Sequence, residues 1–160
     1  DLVVAEQPSA MSLDNLTVWD SNGNRVGNVV SLEGAYPVVA LRVDKNLVVI
    51  VVGRDKVLAT LGGVGGVGLY FESADCSGAP FLANGVLFPE VASPLPPTYL
   101  FGQRVYAPIG PPQAIVVRST AGDPLNPTAC SSFDANEVQT LPLRLLIDLD
   151  LRFTSPFSVR

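Results

Sequence analysis

The segment LPLRLLIDLDLRF, residues 141–153, has an apolar residue at every odd position: Leu141, Leu143, Leu145, Ile147, Leu149, Leu151 and Phe153. The even positions hold Pro142, Arg144, Leu146, Asp148, Asp150 and Arg152. Alternation sustained over this length is a period of two, the mark of a long strand with one side in a core. A helix would scatter the same leucines around its circumference. Pro142 has no N–H to give to a ladder, so the hydrogen-bonded part starts after it or the strand lies at an edge.

The rest of the chain supplies partners for such a strand. Residues 36–44 and 47–55, YPVVALRVD and LVVIVVGRD, flank Lys45-Asn46, a short polar break suited to a hairpin. Residues 47–52 are apolar on both faces, which predicts a central strand covered on both sides or by a neighbouring subunit. In residues 16–30, Asn22-Gly23 sits between two apolar arms, and both residues tolerate the positive φ of a type I′ turn. Further strands are expected over 2–5, 68–72, 99–106 and 114–119. Residues 92–100, 106–113 and 120–132 are rich in Pro, Gly and small polar residues and read as extended loops. Only 9–16 and 132–139 hint at helix. The chain therefore reads as one all-β domain over residues 1–160, an antiparallel sandwich or barrel-like fold with long Pro/Gly-rich loops and little helix. Residues 1–8 are the candidate for an exchanged or appended N-terminal strand.

Composition narrows the function classes. Charged residues make up 16% of the chain, against about 25% in ordinary soluble domains. An assembled or partly covered surface accounts for so little charge. Net charge is −5 and no basic cluster occurs, which argues against a nucleic-acid partner. The longest apolar run, residues 47–52, falls far short of the roughly 20 residues of a spanning helix, so no membrane span is expected. With no His at all, His-based triads, general bases and metal ligands are removed together. Two cysteines remain, Cys76 and Cys130. They are too far apart for a C-x-x-C site, and a single disulfide is the economical reading, the alternative being two free buried thiols. The bridge would close a loop worth about 4 kcal/mol on the chain-entropy account. The sequence opens on Asp1 with no leader-like segment, which fits either a removed leader or an excised fragment, and both fit export.

Gly63-Val64-Gly65-Gly66-Val67-Gly68 spells a dinucleotide-binding loop. Such a loop needs a helix after it, whose N-terminal amides hold the pyrophosphate. Here Leu69-Tyr70-Phe71 follows, with strand character, so a tight turn or a close backbone approach is the better reading. Asp20-Ser21-Asn22-Gly23-Asn24 resembles the start of a calcium loop, but Arg25 and Ser31 stand where such a loop wants Gly and Glu. Asp148 and Asp150 would lie about 7 Å apart on one strand face, a glycosidase-like spacing. Arg144 and Arg152 flank them, and surface ion pairing explains all four. No nucleophile motif occurs. The expectation is a non-enzyme with no catalytic, metal or cofactor site. Trp19 and Tyr70 are the aromatics expected to contact a surface glycan, if core packing does not absorb them. Asn15-Leu16-Thr17 has the form of a glycosylation sequon.

Residues 68–82, GLYFESADCSGAPFL, and 150–160, DLRFTSPFSVR, resemble segments of poorly characterised exported bacterial β-domains, some found after collagen-like or fibre-like segments. The resemblance implies an extracellular or cell-surface location, after removal of a leader, and a structural or adhesive role. It carries no active site. This chain has no Gly-X-Y tract, so any fibre must be built by the domain itself. The leading expectation is a non-enzymatic extracellular structural protein that self-assembles as the subunit of a surface fibre, filament or appendage, with copies of itself as partners. Leu2, Val3, Val4 and Ala5 are the candidate assembly strand, adding to a neighbour's sheet, although pairing within their own domain is the equal alternative. The second expectation is an extracellular carbohydrate-binding or adhesive module.

Overall fold

The computed structural model describes residues 12–64, 68–83 and 97–160. After a 3-10 turn at Leu13–Asn15 come β1 (Thr17–Trp19), β2 (Arg25–Glu33), β3 (Tyr36–Val43), β4 (Asn46–Val52), β5 (Val57–Thr60) and β6 (Gly63–Val64). Then follow β7 (Leu69–Phe71), β8 (Phe81–Ala83), β9 (Thr98–Phe101), β10 (Arg104–Pro108), β11 (Gln113–Ala121) and β12 (Ser131–Asp148). One helical turn, α1 (Leu149–Arg152), and β13 (Ser158–Val159) complete the order.

The fold is all-β, with two antiparallel sheets packed as a sandwich. The first sheet has the order β13-β1-β2-β3-β4-β5, so β1 to β5 lie side by side as the chain makes them. The second has the order β11-β7-β8-β12-β10-β9-β6. In it β11 also pairs directly with β12, so β7, β8, β12 and β11 close into a ring. The two-residue contact of β6 with β9 is parallel.

Valine builds the first sheet because its branched side chain suits a pleated surface. On β4, Val48, Ile50 and Val52 enter the main core with Val18, Val39, Leu41 and Val57. Val105 and Ile147 of the second sheet close that core, with Leu149 and Phe153 from α1 and its C-cap. Val49 and Val51, on the other face of β4, are buried as well, against Val38 and Leu61. The expectation that residues 47–52 form a strand covered on both sides is met within one chain. A second core holds Leu69, Phe71, Leu82, Tyr99, Phe101, Tyr106 and Leu143.

β12 departs from the simple alternation. It begins at Ser131, so residues 132–139, expected as helix, are strand: they pair with β11 from Gln113↔Thr140 to Thr120↔Ser131. Local sequence here gives no apolar face of either period, and the partner strand decides the conformation. At the other end the strand stops at Asp148, and 149–152 turn as α1. A register shift sets Val105 opposite Ile147 but Tyr106 opposite Leu145, leaving Leu146 as the extra residue of a bulge. Ile147 therefore joins the main core, while Leu143 joins the second core and Leu145 is exposed. One bulge sends a single odd-numbered set to two different places.

Other boundaries moved for local reasons. Residues 99–106 are two strands, because Gly102, at φ 62°, turns the chain between Phe101 and Arg104. The turn between β3 and β4 is Asp44-Lys45, one residue earlier than expected, with Asp44 at φ 53°. The turn after β1 is not type I′, because among its residues only Gly23 has positive φ. Part of 92–100 is strand β9, and β10 and β11 shorten the loop expected over 106–113. Strands β5, β6, β8 and β13 lie where the sequence pattern predicts none.

Candidate functional site

The expected disulfide is formed. Cys76 and Cys130 bridge with their Cα atoms 5.9 Å apart, across a sequence separation of 54, within the usual reach of such a bond. It ties together two irregular segments, 72–80 and 122–130. The first is organised by short side chains. The buried Ser119 hydroxyl donates to the Ser73 carbonyl at 2.6 Å and accepts from the Cys76 N–H at 2.9 Å. The Asp75 Oδ1 accepts from the Ser77 hydroxyl at 2.6 Å and from the Ser77 N–H. The Ser77 hydroxyl, the Ser77 N–H and then the Ser73 hydroxyl hold the Asp75 carboxyl below its usual range, against a smaller opposing effect of burial.

Beside the disulfide lies a cleft of about 450 Å³. Leu69, Phe71, Phe101, Tyr106 and Ala121 line it, and all are buried residues. Its lining also includes Asp75, Arg104, Thr128 and Leu145, which are exposed. Arg104 Nε donates to Asp148 Oδ2 at 2.9 Å. Burial pushes the Tyr106 phenol up, and the neighbouring Arg104 charge pulls the other way. Leu145, opposite Tyr106 and beyond the β12 bulge from the main-core residue Ile147, is 49% exposed.

A second surface stands on the first sheet. Val30, Leu32 and Tyr36 are 55%, 52% and 50% exposed at the end of the β2–β3 hairpin. β1 reaches β2 only up to Asn28, with one further bond from the Val29 N–H to the Leu16 carbonyl. From Val30 to Glu33, β2 has no strand partner on its β1 side among the described residues.

Comparison with protein-family models, curated proteins and solved structures gave no match. What can be said of function thus comes from the geometry of this chain.

The candidate residues fall as follows. Trp19 is half-buried on β1, with the Arg160 guanidinium 6.0 Å from its ring centre. Tyr70 is half-buried on β7, packed against Phe133 with ring centres 5.9 Å apart. The two stand on different sheets and are not brought together. Leu2, Val3, Val4 and Ala5 lie outside the described residues. Asp148 and Asp150 do not share a strand face: Asp148 ends β12 and caps α1, its Oδ1 accepting from the Leu151 N–H, while Asp150 lies inside the helical turn.

Asp20, from the calcium-like stretch, has a different role. It is 1% exposed, and its carboxylate accepts from the N–H groups of Asn22, Asn24 and Thr154 and from the Asn24 side-chain amide. Burial works to raise its pKa, but the Asn24 amide and the three backbone donors together outweigh it and hold the carboxyl below its usual range. Ser21 and Asn22 also bond to the turn at Thr154 and Ser155. The acceptor oxygens that suggested cation binding are spent on joining the β1–β2 turn to the chain's final segment. Of the glycine motif, Gly63 and Val64 form β6, Gly68 packs on the Ala121 carbonyl, and 65–67 lie outside the described residues.

Sequence reasoning missed Arg104 and Leu145. Arg104 follows a turn that was read as strand interior. Leu145 was visible as part of the alternation, but nothing local marks Leu146 as a bulge.

Proposed function

We propose that this chain is a non-enzymatic structural β-domain of the cell surface or extracellular space, assembling with copies of itself into a fibre or appendage. The observation that supports this reading best is the apolar end of the β2–β3 hairpin beside a stretch of β2 that has no strand partner on its β1 side among the described residues. Unpaired strand edges template pairing with another chain, and proteins that stay apart blunt them with charge, proline or bulges. Here the stretch carries one bulge, at Val30, and one charge, at Glu33, and from Ser31 to Glu33 it stays in register with β3 while presenting the exposed Leu32. An added strand would take its affinity from main-chain hydrogen bonds and its register from side chains on alternate positions. Leu2, Val3, Val4 and Ala5 are the segment proposed to supply it. The disulfide and the absence, among the described residues, of any helix able to cross a membrane are compatible with export. The resemblance to exported bacterial β-domains points the same way.

Sedimentation across a concentration series, with negative-stain microscopy, tests the proposal. The native chain is expected to form oligomers or filaments. Leu32→Lys with Val30→Lys, or removal of residues 1–7, is expected to return it to monomers with an unchanged β-type circular dichroism spectrum. A native chain that stays monomeric at every concentration, with or without those residues, would refute assembly.

A further inference from the structure

The cleft beside the disulfide calls for an explanation separate from assembly, since its walls belong to the second sheet and the loops next to it. We infer that it is a binding site for a neutral saccharide of one or two hexopyranose rings. Its volume, about 450 Å³, falls within the range of small-ligand sites, roughly 300–1,000 Å³. Its lining combines two demands. One part is apolar, with Phe71, Phe101 and Tyr106 below and the half-exposed Leu145 at the opening. The other offers groups of opposite charge, the Asp75 carboxylate and the Arg104 guanidinium.

A ligand for this cleft must donate to a carboxylate, accept from a guanidinium and lay an apolar surface against leucine and aromatic carbons. The Asp75 bonds to Ser77 fall on Oδ1, so Oδ2 has acceptor capacity to offer. Arg104 commits Nε to Asp148, and a guanidinium has five N–H donors in all. A pyranose meets the three demands at once: each hydroxyl both donates and accepts, and its axial C–H groups form an apolar patch. An apolar carboxylic acid meets only two, because Asp75 repels its charge and the chain as a whole carries −5.

The test is a titration of isotope-labelled protein, followed by backbone amide shifts, with glucose, galactose, mannose and N-acetylglucosamine in turn. Benzoate and octanoate serve as the acidic apolar probes. At least one sugar is expected to give saturable shifts at Phe71, Asp75, Gly78, Thr128 and Leu145. Arg104→Gln and the surface change Leu145→Ser should each weaken that binding about tenfold or more, close to 1.4 kcal/mol. Spectra unchanged away from the cleft would show both variants folded. Shifts at the cleft with benzoate or octanoate but no sugar would overturn the saccharide assignment. So would silence of the cleft to all six probes, or sugar shifts located elsewhere. None of these results bears on assembly, which is read at Val30 and Leu32.

Discussion

Single side chains hold the corners of this molecule. Gln103 is one: its amide donates to the Val57 carbonyl at 3.0 Å and its Oε1 accepts from the Val57 N–H at 2.9 Å, so a side chain stands in for a neighbouring strand at β5. Asp20 is the other, and it is ionisable. Its folded-state pKa lies below the ordinary aspartate value of 3.8, so its contribution is fully present above that value and is lost as pH falls through the lowered one. Acid titration of stability should therefore show a loss below about pH 4. Asp20→Ala should lower the urea midpoint at neutral pH, by leaving three N–H groups without their acceptor, and should shrink the acid-dependent part of the curve. Urea melts of both proteins between pH 2 and 7 would check this. An acid limb of equal size in the variant would assign the sensitivity to other carboxylates such as Asp75, also held low by its serine neighbours.

At the scale of elements, close approach of backbones matters as much as apolar pattern. A Cβ on Gly68 would sit 2.5 Å from the Ala121 carbonyl oxygen and 2.9 Å from the Gly122 Cα, both main-chain atoms that cannot swing aside. Gly68→Ala should cost about 1–3 kcal/mol, whereas at Gly122 nothing lies within 4 Å and the same change should be far milder. Chemical denaturation of the two variants gives the comparison. The glycine motif was thus legible as a place of tight packing, and the following strand already spoke against a nucleotide loop. The valine-rich hairpins and the disulfide could be read because period-two alternation and cysteine count are local or compositional signals. The bulge at Leu146, the turn at Gly102 and the strand conformation of 132–139 could not. Each is decided by a partner strand remote in sequence. The cleft followed the same rule, since Asp75, Arg104 and Leu145 meet only when β7, β10 and β12 are in register.

At the scale of the described molecule, the two sheets share a core. That main core draws side chains from both, and the cross-link joins loops that the second core underlies. Replacing Cys76 and Cys130 together by Ser should remove about 4 kcal/mol of stability by the chain-entropy account. The β-type circular dichroism should survive, and calorimetry before and after should show one transition at a lower temperature. The long strand β12 has a wider consequence. It pairs with β11, β8 and β10, and with α1 it delivers Leu143, Ile147 and Leu149 to two cores. Strands β1 to β5 are neighbours in chain order and can pair as they are made, whereas both cores lack a wall until β12 is added, so one late segment finishes the two together.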